Sequence, residues 1–150
     1  MQASPSALVI GSDHAGFELK EKITAYLAAQ KIPVQDVGPS GTDSVDYPDF
    51  GMQVAAAVSR GEFKRGILIC GTGIGMSMVA NKFPHVRAAL CSGLFGAIMS
   101  RRHNDANILV LGGRVTGDAL ALEMVRVWLE TPFEGGRHQA RLAKFDHLKV

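Results

Sequence analysis

The residues with the strongest chemical character stand together in Ile67-Leu68-Ile69-Cys70-Gly71-Thr72-Gly73-Ile74-Gly75-Met76-Ser77. An apolar run ends in a cysteine, a glycine-rich turn follows, and the turn opens a helical segment. Such a turn leaves backbone N–H groups unpaired and aimed at one spot, which favours anionic oxygen. The same dipoles favour a thiolate over a thiol. Cys70 therefore offers a base or a nucleophile beside an oxyanion site. Cys91 ends a later apolar run and reads as a buried structural thiol.

Two other uses of such a loop fail on its neighbours. The spacing G-x-G-x-G departs from the dinucleotide pattern G-x-G-x-x-G, and Cys91-Ser92 stands where a ribose-reading carboxylate would end the next strand. Cysteine phosphatases close their loop with an arginine six residues after the cysteine, and Met76 occupies that place. A thiol-phosphate would lack its main cationic partner.

Other polar candidates flank other apolar runs. Ser12, Asp13 and His14 follow the first, where Ser12 or Asp13 also reads as a helix cap. Ser92 and Arg114 follow later ones, and His103-Asn104-Asp105 precedes the last, where Asn and Asp also suit a plain turn. Arg137, His138 and Arg141 form a basic cluster in which the two arginines share a helix face. The cluster reads as a solvated face or as a phosphate clamp. No ligand spacing resembles a zinc site, so neither metal nor cofactor is expected.

The positioning elements alternate in type. Strands are expected at 7–10, 34–37, 67–70, 86–91 and 108–111, and helices at 17–30, 50–60, 75–82, 94–102, 118–129 (with Thr116 as its cap) and 137–145. Phe17, Ile23, Tyr26 and Leu27 are the expected inward residues of the first helix. Five apolar strands separated by helices predict a parallel sheet covered on both faces. Ligands bind such sheets outside the carboxyl ends of the strands. Ser12, Asp13, His14, Cys70 to Gly75, Ser92 and Arg114 should converge there.

A chain of 150 residues, 47% hydrophobic and 20% charged, suits a single domain over 1–150. The net charge of +2, with no basic run beyond Arg101-Arg102, excludes a dedicated nucleic-acid binder. No apolar run reaches membrane-spanning length. Residues 1–6 lack the basic and apolar regions of a signal peptide, and two cysteines make no disulfide framework, so a cytoplasmic location is expected.

The chain resembles the ribose-5-phosphate isomerase B family, which includes galactose-6-phosphate isomerase subunits. The resemblance rests on Gly11-Ser12-Asp13-His14-Ala15-Gly16-Phe17, Asp46-Tyr47-Pro48, Ile69 to Gly75, Asn81-Lys82, Arg87-Ala88, Arg102 to Asn107 and Gly135-Gly136-Arg137-His138-Gln139-Ala140-Arg141. It implies a Rossmann-like α/β/α sandwich, a homodimer that could pair further into a tetramer, and metal-free aldose–ketose isomerisation. On this chain Cys70 would be the base that moves a proton between C1 and C2, and His103 would open the sugar ring. Asp13, His14 and Asn104 would contact the sugar. Gly71, Gly73, Ile74 and Gly75 would hold the enediolate, and Arg114, Arg137 and Arg141, with His138 in the same cluster, would bind phosphate. Relatives with serine at the cysteine position use a glutamate near the loop, but Met76 and Ser77 offer none, so the cysteine branch fits.

The residues agree with that chemistry. Removing a proton beside a carbonyl needs a base on one side and donors where the oxyanion develops. Thr72 is placed to orient the thiol or an oxygen. Tyr47 reads as a wall that sets pocket length, or as packing. His103 precedes the fifth strand and belongs at the amino end of the sheet, whereas Cys70 belongs at a carboxyl end. His103 and Asn104 are therefore expected to serve a partner subunit's site, and the helix at 137–145 to contact that partner. Ribose 5-phosphate is the expected substrate. A six-carbon or four-carbon sugar phosphate, or a non-catalytic sugar-phosphate sensor, are the alternatives. The Cys70, Asp13 and His103 set weighs against a sensor, which needs no base.

Overall fold

A computed structural model describes residues 6–150. Residues 1–5, most of the stretch read for a targeting signal, lie outside the described residues. The elements alternate as β1 (Leu8–Ser12), α1 (Phe17–Ala29), β2 (Val34–Asp36), α2 (Tyr47–Ser59), β3 (Arg65–Cys70), α3 (Ile74–Ala80), β4 (Ala88–Leu90), α4 (Leu94–Arg102), β5 (Ile108–Gly112), α5 (Asp118–Glu130) and α6 (Arg137–Ala143). The five strands form one parallel sheet in the order β2-β1-β3-β5-β4. The expected Rossmann-like α/β architecture is what forms.

Strand side chains alternate between two cores. Ile67 and Ile69 join Leu8, Ile10, Leu109, Leu111 and Trp128 on one face, which α1, α4 and α5 cover. Leu68 and Cys70 join Val9, Val54, Met76 and Val110 on the other, beneath α2 and α3. Each fully buried aliphatic side chain contributes about 1.5–3 kcal/mol. The central strand β3 buries Ile67, Leu68 and Ile69 completely, which pins the residue that follows, Cys70, to the end of a rigid element.

The structure corrects several expectations. Strand β1 continues through Gly11 to Ser12, two residues past the expected end. Helix α2 begins at Tyr47 because Pro48 occupies the first helical turn, where its fixed φ is no penalty. Strand β4 is only Ala88–Leu90, since the Arg87 N–H turns aside to the Asn107 side chain at 2.7 Å. Thr116 does not cap α5. Gly117 holds that position, and the Thr116 hydroxyl is buried without a hydrogen-bond partner. Phe17 and Tyr26 are only half-buried, while Lys20 is fully buried and paired with Asp36 at 2.5 Å. Among the described residues, no helix is long and apolar enough to cross a membrane.

Candidate active site

The sheet reverses its winding between β1 and β3, which places a crevice at the carboxyl ends of those strands. Three loops are stitched together there. The Asp13 N–H donates to the Ile69 carbonyl at 3.1 Å, Gly113 N–H to Cys70 at 2.8 Å, and Arg114 N–H to Gly71 at 3.0 Å. Glycines permit this closeness. A Cβ on Gly16 would lie 2.8 Å from the Ile69 oxygen, and one on Gly112 would lie 2.7 Å from the Thr72 oxygen.

Cys70 ends β3 with its sulfur on the α2/α3 side of the sheet. The Gly73 N–H donates to Cys70 Sγ at 3.2 Å, and Gly73 reaches that position through φ of +82°, which disfavours any side chain. Thr72 Oγ1 accepts the Ile74 N–H at 3.2 Å, which leaves its own hydroxyl proton free to donate. The first helical bond of α3 runs from Ser77 to Gly73 at 3.0 Å, so the Gly75 and Met76 amides have no acceptor within the helix. A sulfur held by an amide and bordered by further free amides is the arrangement a base and an oxyanion cradle require.

Asp13 is buried and its Oδ1 accepts the Gly16 N–H at 2.9 Å, so it secures the turn into α1. The expected capping by Ser12 or Asp13 does not occur: Gly16 holds the N-cap of α1 without a side-chain cap bond, and Asp13 braces only the turn before it through Oδ1. His14 Nδ1 accepts the Val45 N–H at 3.2 Å, which puts the ring proton on Nε2. Tyr47 packs directly on the loop: a Cβ on Gly75 would sit 2.5 Å from the Tyr47 ring. The Arg114 guanidinium lies over Gly71, 3.5 Å from where a Cβ would be. Ser92 follows the edge strand β4, two strands away from β3, so it stands apart from this group.

The remaining candidates form a second group. Cys70 pairs with Gly112 and Gly66 with Ile108, so β5 begins four residues, about 13 Å, below the Cys70 level. His103 ends α4 and precedes that start, at the amino end of the sheet as expected. Helix α6 stands there too. The His138 ring stacks on the His103 ring with centroids 4.1 Å apart and planes 11° from parallel. Asn104 lies in the following turn, which Asp105 braces by binding Arg101 at 2.8 Å and Arg87 at 3.2 Å. Arg137 and Arg141 are exposed on the α6 segment that carries His138. Burial, with His103 and Arg137 beside it, pushes the His138 imidazole below its ordinary value. Of the four expected phosphate ligands, Arg114 therefore lies with Cys70, while Arg137, His138 and Arg141 lie with His103.

Glu134 escaped the sequence reading. Its carboxylate lies 3.5 Å from His103 Nε2. Glu134 immediately precedes Gly135-Gly136, and nothing local marks it, because its role depends on where α4 ends. Among the described residues, His103, Glu134 and His138 are the one trio of metal-type ligands, with ligand atoms within 4.8 Å of one another. Near-parallel rings cannot both hold one ion in their planes, and the charges of Arg137 and Arg141 act on the same spot. Cys91 is buried, and that burial raises its thiol, which matches a structural role.

Fold and site define a parallel α/β protein with a buried thiol and a run of free backbone amides at the sheet's switch point. Residues 8–145 match the family model described as Ribose/Galactose Isomerase. The ribose-5-phosphate isomerase B of Escherichia coli is 48% identical over 135 residues, 90% of this chain and 91% of that protein. The solved structure of Clostridium thermocellum ribose-5-phosphate isomerase B superposes with a TM-score of 0.92 at 54% identity, covering 93% of this chain and 95% of that one. The D-erythrulose-4-phosphate isomerase of Pectobacterium atrosepticum is 41% identical over 145 residues, 95% of each chain. The chain belongs to the ribose/galactose isomerase family.

Proposed function

We propose that the protein interconverts ribose 5-phosphate and ribulose 5-phosphate, without a metal, at a site shared between two copies of the chain. The observation that carries this reading is Cys70 Sγ held by the Gly73 amide beside the free amides of Gly75 and Met76. The Cys70 thiolate takes the proton from C2 of the open-chain aldose, and the electron pair moves onto O1. The loop at Gly71, Gly73, Ile74 and Gly75 holds the resulting enediolate. A proton passes between the two oxygens, and the Cys70 thiol returns its proton to C1 to give the ketose. Thr72 orients the reacting oxygen, while Asp13, His14, Tyr47 and Asn104 contact the sugar hydroxyls. His103 opens the furanose ring beforehand. Arginine grip on the distant phosphate, from Arg114, Arg137 and Arg141 with His138, positions the reacting carbons.

Two observations support completion by a second copy. His103 and the α6 arginines stand at the opposite end of the sheet from Cys70 of their own chain. The rim beside the glycine loop is apolar and exposed: Ile74, Met78, Leu90, Leu94 and Phe95 lie on α3, the end of β4 and the start of α4. A patch of that kind marks a protein interface. A homodimer, with pairing into a tetramer possible through other surfaces, fits a cytoplasmic enzyme of pentose phosphate metabolism.

The test is incubation with ribose 5-phosphate in heavy water plus chelator. Deuterium is expected to enter the sugar as ribulose 5-phosphate forms, with Cys70→Ala lowering both rates by about 10²–10⁴-fold while substrate binding survives. Chelator-sensitive turnover, or an active Cys70→Ala variant, would overturn the mechanism. The erythrulose-4-phosphate relative favours one second reading, a four-carbon substrate. Comparing kcat/KM for ribose 5-phosphate and erythrose 4-phosphate separates the two.

A further inference from the structure

We infer that Glu134 is the positioning residue for ring opening: it fixes the tautomer and orientation of His103, and it plays no part in the proton transfer at Cys70. The inference rests on the reading of His103 as the ring-opening group and adds a residue to it. Three contacts carry it. Glu134 Oε1 lies 3.5 Å from His103 Nε2. The Glu134 backbone N–H donates to the carbonyl of Arg102, the residue before His103, at 3.0 Å, so the carboxylate is tied to the end of α4. The face of the His103 ring rests on His138, which the Gly135 carbonyl holds through the His138 N–H at 3.1 Å. The segment from Glu134 to His138 thus grips the imidazole at one edge and on one face.

Which ring nitrogen carries the proton is set by the partner of the other. A carboxylate at Nε2 keeps a hydrogen there and leaves the Nδ1 lone pair for the sugar. A 3.5 Å approach is of the kind that tightens when substrate binds. Ring opening is then balanced. Nδ1 accepts the proton of the anomeric O1 hydroxyl, and the O–H electron pair becomes the C1=O1 bond. The C1–O4 bond breaks with its electrons on O4, and the imidazolium returns the proton to O4. During that step His103 carries an extra positive charge, which the Glu134 carboxylate offsets.

Ribulose 5-phosphate provides the discriminating substrate, because its phosphorylated O5 prevents it from closing a furanose ring. Glu134→Gln keeps the size of an exposed side chain and removes its charge. It is expected to lower kcat for ribose 5-phosphate by roughly 10- to 100-fold. Deuterium exchange into ribulose 5-phosphate in heavy water should stay within about twofold of the unaltered protein, since that exchange needs only the Cys70 step. Glu134→Asp, which keeps the carboxylate, should recover part of the lost kcat. Equal losses in both assays, or unchanged kcat, would overturn the Glu134 assignment alone. Absence of exchange in the unaltered protein would instead remove the Cys70 reading, and this inference with it.

Discussion

A shared site makes a prediction about mixtures. On the proposed mechanism, Cys70→Ala removes the base from one end of a chain, and His103→Ala removes the ring-opening group from the other. Each variant alone should retain below about 1% of activity, since a positioned acid–base group is worth 10²–10⁴-fold. Within one chain the two residues lie toward opposite ends of the sheet, with the four-residue, about 13 Å, rise of β5 between the Cys70 level and the start of β5 that follows His103. In the proposed two-fold dimer each site would take Cys70 from one chain and His103 from its partner. Random re-association of equal amounts places half of the dimers in the mixed form. Each mixed dimer holds one site with both groups intact and one with neither. Restored activity should therefore reach about one quarter of the unaltered protein per chain. The assay is ribulose 5-phosphate formation after the variants are mixed, dissociated in mild denaturant and refolded together, with each variant treated alone as control. If activity stays at the level of the separate variants, the two residues act in the same chain, or not together, and the shared-site reasoning fails.

Gly75→Ala would place a Cβ 2.5 Å from the Tyr47 ring, so a loss of about 1–3 kcal/mol is expected in urea unfolding. Adding Tyr47→Ala should restore most of it, and no recovery would show that the overlap is not the cause. His138 titrates below the ordinary histidine value of 6.5 when folded. The unfolded chain therefore takes up a proton that the folded one refuses, and stability should fall as pH drops below about 6.5 toward the folded value. Fluorescence of Trp128, the single tryptophan and fully buried, reports the unfolding midpoint; an unchanged pH slope in His138→Gln would refute the assignment. Cys91→Ala should keep full isomerase activity at a cost of about 1 kcal/mol, whereas a loss of kcat would give Cys91 a role the structure does not.

The features legible in the sequence were those whose cause is local. The range 94–102 for α4 and the α1 start at Phe17 follow from apolar spacing and flanking glycines. The Cys70 loop was legible because thiol, turn and amides are consecutive. Lys20 was not, because a lysine reads as solvated until Asp36 is brought beside it. Gly11 looked like the end of β1, but it stays within the strand: a Cβ there would lie 2.8 Å from the Val37 side chain. Glu134 was invisible for the same reason, since His103 is distant along the chain. The residue pattern left Arg137 and Arg141 as a solvated face or a phosphate clamp, the resemblance favoured the clamp and added Arg114, and the strand register separated them into two groups.

The glycine-stitched floor of the crevice has a consequence for how such a protein can change. Gly16, Gly73 and Gly112 hold the three loops with no side chain to exchange. The amides proposed to cradle the enediolate are therefore nearly closed to gradual variation, since most substitutions there collide with backbone or packed side chains. The walls are different: Tyr47 reaches the loop with its ring, and Arg114 lays its guanidinium over Gly71 in addition to its backbone bond there. New substrates of other lengths should arise by trimming or extending those walls, while the proton-transfer step beneath them passes unaltered from one specificity to the next.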